Sequence, residues 1–422
     1  MPRIDLISFK QTKIGLIAED WEVVRLEEVI KEIKNGFASG KRDDDGIVQI
    51  RMNNVTTDGR LIFDSFLKVP VPENINEFLL KENDLLFNNT NSIDLVGKST
   101  IFKNVSFPCT FSNHFTRFRF SDEVLPEWIL FHFITLWKKR FFKSVAIRHV
   151  GQSAVQTKYL TNLRIPLPPL SEQKKIAEIL STVDQAIEKV NEAIEKTQRL
   201  KKGLMQELLT KGIGHKEFKD TEIGRIPKNW EIVKILEIGK ITTGKTPSTS
   251  NSAYWNGDIP FITPADIKEG KYIYQTERCV TSQGAQQIGF ILPANAVLVV
   301  CIGSTIGKTG LTYKESVTNQ QINSIVCNNG TSKHYVYYAT TFRADFLRSF
   351  SGVAAVPIIK KSLFEQFKLP LPPVHEQKKI ADILGAIDGR LELLRKRKER
   401  LGKMKKGLME DLLTGRKRVK LN

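Results

Sequence analysis

The sequence predicts an α+β chain in which two similar mixed α/β bodies are joined by two long coiled-coil helices. Three features carry this expectation. A proline turn leading into a charged helix occurs twice at one spacing, and an opener containing a tryptophan also occurs twice. The segments between these repeats are similar in length but not in sequence, so a frame is repeated and an insert is varied.

The opener FKQTKIGLIAEDWEVV (Phe9 to Val24) resembles FKDTEIGRIPKNWEIV (Phe218 to Val233), an offset of 218 − 9 = 209. The bodies that follow span 167 − 21 = 146 residues from Trp21 to Leu167 and 371 − 230 = 141 from Trp230 to Leu371. Within them IVQIRMNNV (Ile47 to Val55) aligns with IPFITPADI (Ile259 to Ile267), and both read as strands. Gly36, Gly40, Gly244 and Gly257 lie among polar and proline neighbours and read as turns. LPEWILFHFITLWKKRFF, from Leu125, reads as a buried helix ending in a basic turn.

Each body runs into a proline turn and a helix. LPPLSEQKKIAEIL (Leu167 to Leu180) matches LPPVHEQKKIADIL (Leu371 to Leu384) at 371 − 167 = 204. KKGLMQELLT from Lys201 matches KKGLMEDLLT from Lys405 at 405 − 201 = 204, so no gap separates the two matches. The prolines hold the backbone extended, and Ser171 opens an S-E-Q run suited to a helix N-terminus. Ile176, Leu180, Val183, Ile187, Val190 and Ile194 alternate spacings of four and three, as do Ile380, Leu384, Ile387, Leu391 and Leu394. That is the a/d stripe of a coiled-coil seam, and about 40 helical residues make a rod of roughly 60 Å. A narrow stripe needs a partner. The other copy is the nearest one, which favours an antiparallel pair about a pseudo-two-fold axis over a parallel pair or a seam with another protein. The expected division is 1–166, first body; 167–212, central turn and helix; 213–369, second body; and 370–422, C-terminal turn and helix.

Lys and Arg number 64 against 46 Asp and Glu, a formal charge of +18 with a pI near 9.6. Such a surplus attracts polyanions, because neutralised phosphates release condensed counterions. Ribosome-associated and membrane-surface proteins share this balance, so charge alone leaves nucleic acid as one of several partners. No apolar run reaches the roughly 18 to 20 residues of a membrane span, and MPRIDLISFKQTKIG lacks the apolar core of a signal peptide. A cytoplasmic protein is expected. Cys109, Cys279, Cys301 and Cys327 form no CxxC pair and read as buried free thiols.

No catalytic motif is complete in the sequence. GSTIGKTG (Gly303 to Gly310) places three residues where a phosphate-binding loop needs four, and LVGKST (Leu95 to Thr100) has Ser92 where the first glycine belongs. Both read as tight turns, whose Lys98 and Lys308 are placed to touch a DNA phosphate. The Pro-Pro pairs lack the preceding Asp or Asn of amino-methylating enzymes. There is no HExxH, no nuclease-like acidic cluster and no glycine-rich cofactor fingerprint, so no catalytic or metal residue is expected. Side chains suited to gripping base edges recur instead. In the first body these are Lys41, Arg42, Arg51, Asn53, Asn54, Asn89, Arg148 and Gln152. In the second they are Lys245, Thr246, Tyr254, Trp255, Thr263, Gln320 and Gln321.

These features together resemble the specificity subunit of type I restriction–modification systems. The likeness rests on the paired LPP…EQKKIA.IL turns, the KKGLM..LLT helix ends, the IG.IP..WE.V openers and TGKTPSTSNSAYWNGDIPFITPADI, and it covers nearly the whole chain. It implies a non-catalytic subunit whose two domains each read half of a bipartite, asymmetric DNA site, with the helices setting the gap. It also implies two methyltransferase subunits and restriction subunits as partners. S-adenosylmethionine, ATP and magnesium would belong to those partners, with no cofactor bound by this chain. Two positions depart from the pattern: Ala18 stands where the second opener has Pro227, and the first body lacks the YWNG segment. A methyltransferase or nuclease fused to recognition domains would need a catalytic domain for which the repeats leave no room. A pure coiled-coil scaffold would not explain why the inserts differ.

Overall fold

Each opener folds into a short hairpin whose continuation closes its body. In a computed structural model, which describes residues 8–351 and 357–420, Phe9–Thr12 pairs antiparallel with Gly15–Ala18. Glu22–Arg25 then pairs antiparallel with Arg164–Leu167, the strand feeding the proline turn. The second copy repeats this with Phe218–Lys219 against Ile226–Pro227, and Glu231–Lys234 against Lys368–Leu371. Both ends of each body are therefore hydrogen-bonded together, and the variable insert is looped out between two paired strands. The expected first and last segments begin and end with residues 1–7 and 421–422, which lie outside the described residues, as do 352–356.

The first insert carries an antiparallel four-stranded sheet in the order Ile30–Asn35, Phe115–Phe120, Leu85–Asn88, Ser99–Ile101. Beside it lies a three-stranded sheet of Cys109–Phe111, Ile47–Ile50 and Leu67–Val69. The expected buried helix is present as Pro126–Lys138, with Trp128 to Ile134 largely in the core. Left-handed Arg140 (φ 60°) then breaks the chain into a second short helix, Phe141–Val145. The second insert has a five-stranded sheet centred on Ile322–Cys327 and Val297–Val300, and a three-stranded sheet around Trp255–Ile262.

The two aligned strands are shorter than the sequence suggests. The first ends at Ile50, because the Asn54 side chain accepts the Arg51 N–H (2.9 Å) and turns the chain into a 3₁₀ helix, Met52–Asn54. The second ends at Ile262, because Asp266 accepts both the Thr263 N–H (2.8 Å) and its hydroxyl (2.7 Å). Local side-chain-to-backbone bonding outcompetes the sheet at both places. Both expected glycine turns form: Gly97 and Gly307 each have φ of 88°. A Cβ would come within 2.6 Å of Phe142 at the first and 2.9 Å of Ala344 at the second, so the residue must be glycine.

The long helices are Leu170–Thr210 and Val374–Leu412. Along the first, Ile176, Leu180, Val183 and Val190 are buried, and along the second Ile380, Leu384 and Leu391 are. Ile187, Ile194, Ile387 and Leu394 are half-buried. The chain divides into two compact units, residues 1–188 with 399–422, and residues 189–398. In the first unit the start of the first helix and the end of the second share a core, with Ile176, Ala177 and Leu180 beside Met409, Leu412 and Leu413. In the second unit Leu208 and Leu209 share a core with Ile380, Ala381 and Leu384. Burial continues past the expected stripe through Thr197 in one helix and Lys405 in the other.

Each helix start is locked to its body by the same atoms. Trp21 Nε1 donates to Glu172 (3.0 Å), and Trp230 Nε1 donates to Glu376 (3.1 Å). Gln173 bonds Pro168 O and the Leu125 N–H, as Gln377 bonds Pro372 O and the Ser332 N–H. Cys109 and Cys301 are buried, which pushes both thiols up to about 12, and Cys279 and Cys327 are half-buried. No described helix is long and apolar enough to cross a membrane.

Candidate functional site

In the first body, backbone hydrogen bonds gather four separate segments at one edge. The Asn89 N–H donates to His114 O (2.9 Å), Asn89 O accepts from the Val155 N–H (2.9 Å), and the Asn113 N–H donates to Phe37 O (3.1 Å). Residues 37–46, the turn at 113–114, Asn89 and the hairpin 147–154 therefore share an edge. Gly36 makes this possible, since a Cβ there would lie 2.3 Å from Ser112 O. Lys41 and Arg42 are exposed on the 37–46 loop, with Arg42 3.0 Å from Asp44. Arg51 is half-buried and braces that loop, donating to Ser39 O (3.0 Å) and Gln49 Oε1 (3.2 Å). Asn89 donates to Thr116 Oγ1 (3.0 Å), while Arg148 and Gln152 are exposed on the hairpin. Asn53 is exposed and bonds Ser65 (3.1 Å).

Two first-body candidates point inward instead. Asn54 is 2% exposed, and its amide donates to Ile62 O and Ser65 O. Lys98 is buried, and its ammonium donates to Met52 O (2.7 Å) and Val55 O (2.6 Å). Burial holds the Lys98 ammonium below the ordinary lysine range. This lysine cross-links the glycine turn to the 3₁₀ helix, so its charge is spent inside the body.

The second body builds the corresponding edge from the same backbone pattern. The Cys301 N–H donates to Gln321 O (2.8 Å), and Cys301 O accepts from the Ile359 N–H (2.8 Å). Gly244 packs against Asn319 O, where a Cβ would lie 2.0 Å away. This brings together Lys245, exposed; Thr246, whose hydroxyl donates to Gln320 Oε1 (2.6 Å); and Gln321, which accepts from Asn319 Nδ2 (2.9 Å). Trp255 is a core residue. Its Nε1 donates to Ser248 O (3.0 Å), the Arg278 guanidinium lies 3.5 Å over its ring, and it pins the 245–254 loop that Tyr254 ends. Thr263 is used in its Asp266 turn, and exposed Lys308 donates to Pro264 O (3.2 Å).

Matching the two edges exposes residues that the sequence reading passed over. Gln320 follows the residue against which Gly244 packs. Its counterpart in the first body is Asn113, exposed and next to Ser112, against which Gly36 packs. Gln321 corresponds to His114, whose imidazole is held below its ordinary range by burial and by Arg51. The paired glycines were the available signal, but without the sheet register nothing aligned the bodies there. Among the described residues, no group of three or more His, Cys, Asp or Glu is placed to hold a metal. The edges offer amides, hydroxyls and cations on rigid turns, which suits hydrogen bonding to base edges and phosphates.

Residues 18–196 and 227–403 match the family described as the type I restriction modification DNA specificity domain. A Methanocaldococcus jannaschii protein assigned as the type I restriction enzyme MjaX specificity subunit is 32% identical over 420 residues, covering 98% of this chain and 97% of that one. The MjaVIII specificity subunit of the same organism is 30% identical over 98% of this chain and 96% of its own length. In fold, the chain resembles the type I restriction–modification S subunit from M. genitalium, with a TM-score of 0.59 and 15% identity across 93% of this chain and 96% of that one.

Proposed function

The chain belongs to the type I restriction–modification DNA specificity family, and from that premise we propose that each of its two bodies reads one half of a split, asymmetric DNA site. The observation that carries this is one backbone scaffold used twice with different side chains at its edge. Asn89, Asn113 and Gln152 occupy it in the first body, and Thr246, Gln320 and Gln321 in the second. Two unlike edges on one scaffold give two unlike half-sites. Lys41, Arg42 and Lys245 supply phosphate contacts that position the bodies without reading sequence.

The long helices form an antiparallel coiled coil that sets the gap between half-sites and docks the methyltransferase subunits. Pairing within each unit supports the direction. Asp184 meets Lys405 in one unit and Lys201 meets Asp388 in the other, so partners fall in number as the first helix rises. Recognition domains at 1–166 and 213–369, with helical segments at 167–212 and 370–422, follow from this reading. The chain works in the cytoplasm and does no chemistry itself. Two methyltransferase subunits bring S-adenosylmethionine, and restriction subunits bring ATP and magnesium. The test is to co-express the chain with its methyltransferase partner and map methylated bases across a genome. A split site with unlike halves is expected. A continuous site, a perfect palindrome, or methyl transfer by the purified chain alone contradicts the proposal.

A further inference from the structure

The hairpin 147–154 stands out from the first body. Ile147–His149 pairs with Gln152–Ala154, and the latter is anchored to Thr90–Asn91. Beyond that anchor the tip is open: Val150 is 106% exposed, and a Cβ added at Gly151 (φ +79°) would meet nothing within 4 Å. Its register sorts the side chains. Arg148 lies opposite Ser153, and His149 lies opposite Gln152. Directly opposed residues share a face, and successive residues alternate. Ser153 is 4% exposed, so the Arg148–Ser153 face is turned toward the body. The face bearing Ile147, His149 and Gln152 is turned outward, and all three are exposed.

The stretch of chain that carries this hairpin is basic, with Lys143 paired to Asp94 (2.6 Å). Residues 128–171 contain seven lysines and arginines and no aspartate or glutamate. A protruding ribbon in a basic stretch, with His149 and Gln152 opposed on its outer face, complements duplex DNA, whose major groove admits a two-stranded β-ribbon. Resting on the DNA-reading function proposed above, we infer that this hairpin enters the major groove of one half-site, with Gln152 and His149 as its base-reading pair. Gln152 makes the two hydrogen bonds that distinguish adenine, and His149 meets the neighbouring base edge. Val150 sits deepest, suited to a thymine methyl. Arg148, on the other face, grips phosphate and carries no sequence information.

The test uses the chain in complex with its methyltransferase subunits and a duplex library randomised across both half-sites. Gln152→Ala and His149→Ala are each expected to reduce discrimination on the order of tenfold to a hundredfold at one position of one half-site, leaving the other half-site as it was. Arg148→Ala is expected to weaken binding to all sequences alike. All three positions are exposed, and unchanged thermal melting confirms that the variants fold. If both alanine variants of the outer face keep wild-type discrimination to within twofold at every position, the inference is overturned. If Arg148→Ala alone relaxes one position, the reading face is the wrong one and the inference is equally overturned. A wild-type complex that selects no split sequence contradicts the underlying function instead, so the two failures are distinguishable.

Discussion

The Lys405 ammonium lies 2.6 Å from the Asp184 carboxylate, with the lysine side chain only 6% exposed. Lys201 and Asp388 make the same contact at 2.6 Å in the other unit. The two pairs are related by the repeat, since 405 − 201 and 388 − 184 both equal 204. A buried charge inside an apolar helix stripe is tolerated only in the register that brings it a counter-ion, so these pairs act as register keys.

Asp184→Ala should therefore destabilise the first unit by about 1–3 kcal/mol, less than for a fully buried pair because Asp184 is about one-third exposed. Adding Lys405→Met should recover much of that loss, since the uncompensated ammonium is then gone. Denaturant unfolding of the single and double variants measures both. A double variant as unstable as the single would mean that the lysine stem, not its charge, matters.

Glu172 is 1% exposed and accepts from Trp21 Nε1 and from Arg418 at 2.7 and 2.9 Å. Glu376 stands in the same place for Trp230, and there His215 (2.8 Å) takes the part of Arg418. Glu172→Ala leaves the Trp21 indole N–H without its acceptor and the Arg418 guanidinium with Asp20 alone (2.6 and 2.9 Å), a loss of about 1–3 kcal/mol. Hydrogen exchange should quicken at residues 9–25 and 164–180 and stay unchanged around Trp230, with Glu376→Ala giving the converse.

Lys98 and Lys41 are both lysines of the first body, yet their substitutions should behave differently. Lys98→Met removes the donor to two backbone carbonyls and should cost about 1–3 kcal/mol of stability without altering how DNA binding depends on salt. Lys41→Ala should leave stability within about 0.5 kcal/mol and reduce the log–log salt slope by about 0.9. Binding titrations from low to high salt, with thermal melts alongside, separate the two.

The frame was legible in the sequence because its parts are local and repeated. The proline turns, the openers and the two long helices could be found from spacing alone. Lys201 and Lys405 escaped because a charged side chain at a seam position reads as a break in the stripe until its partner is known. The edges of the two bodies were legible only in outline. Lys98 looked like an exposed turn lysine, and its inward course depends on carbonyls more than 40 residues away. Asn113, His114 and His149 were passed over for the same reason: sheet register, not composition, brings them to the edge.

The most direct test of the whole account is a matched heptad inserted in both long helices, after Ile187 and after Leu391, which are related by 391 − 187 = 204. Both register keys survive this change, because Asp184 and Lys405 stay at one end and Lys201 and Asp388 at the other. Seven residues lengthen a helix by about 10 Å, or roughly three base pairs at 3.4 Å each. The measurement is a genome-wide map of methylated sites made by the variant with its methyltransferase partner. The account predicts both half-sites unchanged and the gap longer by one to three base pairs. An active variant that methylates at the original spacing would contradict it, because the helices would then not set the distance between the two readers.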